Sequence, residues 1–165
     1  MKPSKQKGVA AVELALIIGP MLILVFGITE LGRALYQYNA LVKATRGAVR
    51  YLAQQDLANL STTDLGMVYD KTKALALCGA PTCTAATPAL APGLTAAQVE
   101  LCDYVTPACQ ATHQGVQTGQ GTADLVSVTI GGTGAQAFKF TSLATWVVPD
   151  MTFSAIKTTM ASRYF

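Results

Sequence analysis

Between Val9 and Ile28 the chain carries a single ionisable side chain, Glu13, and that acid stands five residues after Gly8. A carboxylate inside an apolar helix costs several kcal/mol in a bilayer interior, so such a group normally finds a partner. Hydrolysis of the peptide bond after Gly8 would supply one. It frees an amine on Val9, one helical turn before Glu13, which can pair with the acid in the same helix or on a neighbouring one. Without that cut, Glu13 has to lie close enough to the headgroups to be solvated.

The remaining reactive side chains point to structure rather than catalysis. Cys78, Cys83, Cys102 and Cys109 form an even set. In an oxidising compartment such a set reads as disulfides, with three connectivities open and the local pairs Cys78–Cys83 and Cys102–Cys109 the simplest. Their spacings do not suit zinc, and the chain has one histidine, His113, read as an exposed loop residue in a Gln-, Thr- and Gly-rich stretch. No catalytic group, cofactor or metal is expected. "GGTG" at 131–134 lacks the strand-to-helix setting of a phosphate loop, and no nucleophile, base and acid cluster in sequence.

These residues need elements to position them. The twenty residues from Val9 to Ile28 form an apolar helix about 30 Å long, enough to cross a bilayer once. No later run matches it. Lys2, Lys5 and Lys7 precede it without an acid, which holds the N-terminus in the cytoplasm and sends the rest across. The apolar core is too long for an ordinary secretory signal, and the residues after it are too charged and bulky for cleavage there. Gly19-Pro20 predicts a kink or loosened turn near residues 16 to 20.

Beyond the membrane the helical period continues through Tyr38, Leu41, Val42, Thr45, Val49 and Leu52, ending near residues 54 to 57. Lys43, Arg46 and Arg50 fall on the opposite, solvated face. A second helix is signalled by Ser61 as cap, Asp64 three residues on, and Gly79 as stop. The proline-rich segment 80–93 is a loop, followed by a short helix capped by Thr95 and Gln98. "LVSVTI" at 125–130 and "AQAFKFTSL" at 135–143 alternate around a glycine turn and predict a hairpin, with a third strand in the last fifteen residues. Trp146, the only tryptophan, is expected in the core. The fold class is α+β: a long N-terminal helix packed at its outer half on a small antiparallel sheet, with one or two extra helices and a disulfide-containing loop region.

The first fifty residues also carry a resemblance. A basic leader, Gly8, four apolar residues, Glu13 and a long apolar helix look like a type IV prepilin signal. The proline within the helix, "GITELGRA" at 27–34 and "NALVKATR" at 39–46 make the segment similar to the TadE-like pseudopilins of tight-adherence (Tad) pili. The resemblance implies a leader over 1–8 removed by a prepilin peptidase after Gly8, a transmembrane half over 9–31 and an extracytoplasmic domain over 32–165. It further implies that Glu13 registers one subunit against the next. The implied place is the bacterial inner membrane, single pass, with the C-terminal part periplasmic or extracellular. The implied partners are the peptidase, other pilus subunits, the inner-membrane assembly platform and membrane lipid. Removing the leader takes three of twelve Lys and Arg and leaves nine against nine acids, a neutral balance that argues against nucleic acid. The alternative is a membrane-anchored adhesive or envelope scaffold domain that keeps its N-terminus.

Overall fold

The computed structural model describes residues 7–84, 86–119, 121–132 and 134–164. The basic residues Lys2 and Lys5 of the expected leader lie outside them. Helix α1 runs from Lys7–Ala53. A 3-10 turn, Leu57–Asn59, leads to α2, Thr62–Cys78. After the loop and a second 3-10 turn, Ala96–Gln98, come β1 (Val99–Asp103), α3 (Gln110–His113), β2 (Val116–Thr118), β3 (Gly121–Ala123) and β4 (Leu125–Ile130). A third 3-10 turn, Gly134–Gln136, precedes β5 (Lys139–Phe140), β6 (Met151–Thr152) and β7 (Ile156–Ala161).

Local sequence chemistry sets the helix ends. The Ser61 side chain accepts from the Asp64 backbone N–H at 3.2 Å, and the Ser61 hydroxyl donates to the Asp64 carboxylate at 2.7 Å. Gly79 closes α2 in the left-handed conformation at φ 73° while its N–H donates to the Leu75 carbonyl at 3.0 Å, a glycine C-cap. Gln98 Oε1 accepts from the Thr95 N–H at 2.9 Å, the reach-back half of a capping box. The end of α1 is covered from far along the chain: Arg163 N–H donates to the Ala53 carbonyl at 2.9 Å.

The principal sheet is antiparallel with order β1-β4-β7. Val99 lies opposite Ile130 and Asp103 opposite Val126, while Leu125 pairs with Ala161 and Ile130 with Ile156. Val126, Val128 and Ile130 turn one face of β4 toward Leu41, Ala48, Val49 and Leu52 of α1, forming the core. The Thr158 hydroxyl reaches that of Thr45 across the same face at 3.0 Å. Central β4 is thus covered on the helix side by an outer α1 half whose solvent face carries exposed Lys43, Arg46 and Arg50. This is the α+β arrangement read from the sequence.

The expected hairpin between 125–130 and 135–143 does not form. β4 takes β1 and β7 as neighbours, and the second segment contributes only the two-residue β5, paired with β6. Gly131 turns the chain away at φ 74°, and a Cβ there would meet the Phe138 backbone nitrogen at 3.2 Å. Its N–H donates to the Gln98 carbonyl at 2.9 Å, which extends the β1 side of the sheet. Pairing with β1 and β7 buries β4 on both sides, which a local hairpin leaves half undone.

Both local disulfides form, with Cα–Cα distances of 5.9 Å for Cys78–Cys83 and 5.6 Å for Cys102–Cys109. The first fastens the end of α2 to the proline-rich loop. The second closes the connection from β1 to α3, and buried Asp103 organises that same connection. Its Oδ1 accepts from the N–H groups of Val105 at 2.8 Å and Thr106 at 2.7 Å; its Oδ2 accepts from the Tyr69 hydroxyl at 2.7 Å and the Thr106 hydroxyl at 3.1 Å. Tyr69 belongs to α2, so one carboxylate ties helix, strand and turn together. Burial pushes the Tyr69 hydroxyl up to about 12, with Asp103 beside it adding to the rise.

Candidate functional site

The N-terminal half of α1 is an unusual surface for a folded domain. It is long and apolar enough to cross a membrane, and none of its apolar window is buried by the rest of the chain. Val12, Leu16, Ile17, Leu24 and Ile28 are all exposed. A helix that is apolar on every side requires lipid or other chains around it. The chain therefore presents one helix suited to a membrane anchor.

Gly8 and Val9 lie in the first turns of α1, both exposed, and Glu13 follows one turn later on the same open helix. Glu13 has no hydrogen-bond or ion-pair partner among the described residues. Gly19 and Pro20 lie within α1, which stays α-helical across both. Pro20 supplies no backbone donor there, leaving the hydrogen-bond ladder one bond short.

Where α1 leaves its apolar stretch, Glu30 and Arg33 build a junction with the sheet region. Arg33 Nη2 and Nε donate to Glu30 Oε2 at 2.9 and 3.2 Å. Arg33 Nη2 also donates to the Thr141 carbonyl at 2.6 Å, and its guanidinium lies 4.5 Å from the centre of the Phe140 ring. Glu30 Oε1 accepts from the Leu143 N–H at 3.0 Å. The acid and base of "GITELGRA" thus lock the β5–β6 loop onto the helix. Sequence reasoning passed over the pair as a site, although its i, i+3 spacing was the available signal. Next to it, Tyr38, Phe138, Phe140 and Phe153 form an aromatic cluster, with ring centres 5.6 Å apart for Tyr38–Phe153 and 5.5 Å for Phe138–Phe153.

Two expectations about single residues fail. His113 is buried, not an exposed loop residue. Its Nδ1 lies 2.7 Å from the Thr112 hydroxyl and its Nε2 2.9 Å from that of Ser127. It covers the sheet face that α1 does not, beside the Cys102–Cys109 bridge, and burial lowers its pKa. Trp146 is not a core residue: it is 66% exposed and meets Phe26 of α1 edge-on, with ring centres 5.8 Å apart. It sits on the β5–β6 loop, which the Glu30–Arg33 junction draws toward the apolar half of the helix and away from the core.

No curated protein and no solved structure matches the chain. Residues 8–50, nearly the whole of α1, match the family model described as TadE-like protein, so the N-terminal helix of this chain is similar to that family.

Proposed function

We propose that the chain is a minor pilin or pseudopilin that helps initiate, cap or support a Tad-type pilus. The TadE-like segment supports a pilin-like role associated with such pili and implies contact with other pilus components. In this reading a prepilin peptidase cuts after Gly8, residues 9–31 anchor the subunit in the inner membrane, and residues 32–165 stand on the outer side. The new amine of Val9 and the carboxylate of Glu13 pair between neighbouring helices, which turns an expensive membrane carboxylate into a docking element. Gly19-Pro20 gives the packed helices a place to bend. The protein works by assembly rather than by catalysis.

The observation that carries this reading is an exposed, all-round apolar helix with a single acid, located within the TadE-like match. Co-purification of the subunit with other pilus components tests the assembly role. Recovery with the inner-membrane platform or the filament is the expected result, and recovery as a lone envelope protein in pilus-forming cells contradicts it.

A further inference from the structure

The β5–β6 loop, residues 141–150, presents apolar side chains where a folded domain would ordinarily hide them. Leu143 is 84% exposed and Trp146 66%. Between Thr141 and Pro149 there is no charged residue. The exposure is not that of a slack segment, because the loop is held by its own hydrogen bonds. Ser142 N–H donates to Asp150 Oδ1 at 3.0 Å, Ala144 N–H to the Ser142 hydroxyl at 3.2 Å, and the N–H groups of Val147 and Val148 to the Ala144 carbonyl at 2.9 and 3.0 Å.

The level at which this loop meets α1 determines what it faces. Trp146 touches Phe26, and Val147 lies against Gly27, where an added Cβ would stand 3.5 Å from its Cγ1. Phe26 is two residues from the end of the apolar run at Ile28, so this contact falls at the outer edge of the hydrocarbon layer. One to two turns further out, roughly 6 and 10 Å along the helix, Glu30 and Arg33 hold Leu143 and Thr141. The ion pair Lys139–Asp150, at 3.2 Å, closes the base of the loop. Helix and loop therefore run through the same order, from apolar to aromatic to charged. Tryptophan is enriched at that boundary because its ring is apolar and its N–H is polar.

We infer that the 141–149 loop is a second membrane contact. Its Leu143 and Trp146 insert at the boundary of headgroups and acyl chains beside the exit of α1, and the Glu30–Arg33 junction fixes the loop at that depth. The partner is the lipid of the membrane that α1 crosses, and with no charged residue in the inserting stretch the contact does not depend on anionic headgroups. The insertion depth for such an element is about 5–10 Å. Two contacts in place of one fix the tilt of the domain on its anchor. The inference rests on α1 spanning the bilayer, as in the reading above.

Trp146 is the chain's single tryptophan, so its fluorescence reports on this loop alone. The full-length protein is reconstituted in phosphatidylcholine vesicles containing lipids brominated either near the glycerol end or near the middle of the bilayer. A second protein, Trp146→Phe with Phe26→Trp, reports on the helix. The expected result is blue-shifted Trp146 emission, stronger quenching by the shallow bromolipid than by the deep one, and loss of quenching by aqueous iodide. Iodide quenching without bromolipid quenching, while the Phe26→Trp reporter is quenched by lipid, overturns the loop contact and leaves the anchor intact. Shielding of Trp146 from both quenchers also overturns it, because another protein copy then covers the loop. If the Phe26→Trp reporter is itself untouched by lipid, the spanning reading fails and the loop contact falls with it.

Discussion

Replacing Asp103 tests whether one buried carboxylate joins α2, β1 and the disulfide-closed turn. In the structure it accepts four hydrogen bonds at 2.7–3.1 Å, two from backbone N–H groups and two from hydroxyls. Asp103→Asn retains an oxygen for the N–H groups of Val105 and Thr106 but puts an amide nitrogen where Oδ2 receives the Tyr69 and Thr106 hydroxyls, which can turn to accept from it and so recover about half of that loss. Hydrogen bonds to a charged group contribute about 1.5–3 kcal/mol each, so Asn should cost about 1.5–3 kcal/mol. Asp103→Ala leaves all four donors without their acceptor, but the turn at Val105 and Thr106 is part-buried and water recovers some of the loss. A cost of about 3–5 kcal/mol follows, a large share of the 5–15 kcal/mol typical of a domain. Urea unfolding followed by far-UV circular dichroism in detergent, with both disulfides intact, measures the difference. Equal slopes with displaced midpoints are expected. If Asp103→Ala unfolds within about 0.5 kcal/mol of the parent, the span of an ordinary surface substitution, the carboxylate does not organise this junction.

Three further outcomes follow from the same structure. Converting both Cys102 and Cys109 to Ser opens a loop with a sequence separation of 7, and the chain-entropy relation gives a loss of about 2–3 kcal/mol in the same unfolding assay. Burial lowers the His113 pKa, so between the unfolded value of about 6.5 and the lower folded value the unfolded chain binds more protons, and stability falls as the pH drops through that window. Urea midpoints measured down through that range should decline for the parent and stay flatter for His113→Gln. Glu13→Ala removes a carboxylate that is costly inside an apolar helix; membrane insertion by alkaline extraction should be intact while pilus formation is lost, and normal piliation contradicts the docking role.

What the sequence disclosed was local. Ser61, Asp64 and Gly79 define α2 through bonds spanning three or four residues, and Thr95 and Gln98 do the same for their turn, so their meaning is present in a short window. The length and apolarity of α1 were equally plain. Strand pairing was not. "VELCD" at 99–103 mixes two acids and a cysteine into a five-residue strand with one β-branched residue, and it becomes a strand because Val99, Leu101 and Asp103 face the helices across β4. The choice of β1 and β7 over the adjacent 135–143 segment is a matter of burial, decided by pairings between residues 23 to 36 apart in sequence. Exposure of Trp146 and burial of His113 likewise depend on neighbours distant in sequence, Phe26 for one and Ser127 for the other. Of the candidate site, the acid and its spacing from Gly8 were visible. The Glu30–Arg33 junction was not read, because its partners Thr141 and Leu143 lie more than a hundred residues on.

The central claim is that proteolysis after Gly8 exposes an amine one turn from Glu13. Intact-mass and N-terminal peptide analysis of the protein from native envelopes, made with and without the prepilin peptidase, tests it most directly. The account predicts a chain beginning at Val9 when the peptidase is present and one retaining residues 1–8 when it is absent. A chain that keeps Met1 in piliated, peptidase-containing cells contradicts it.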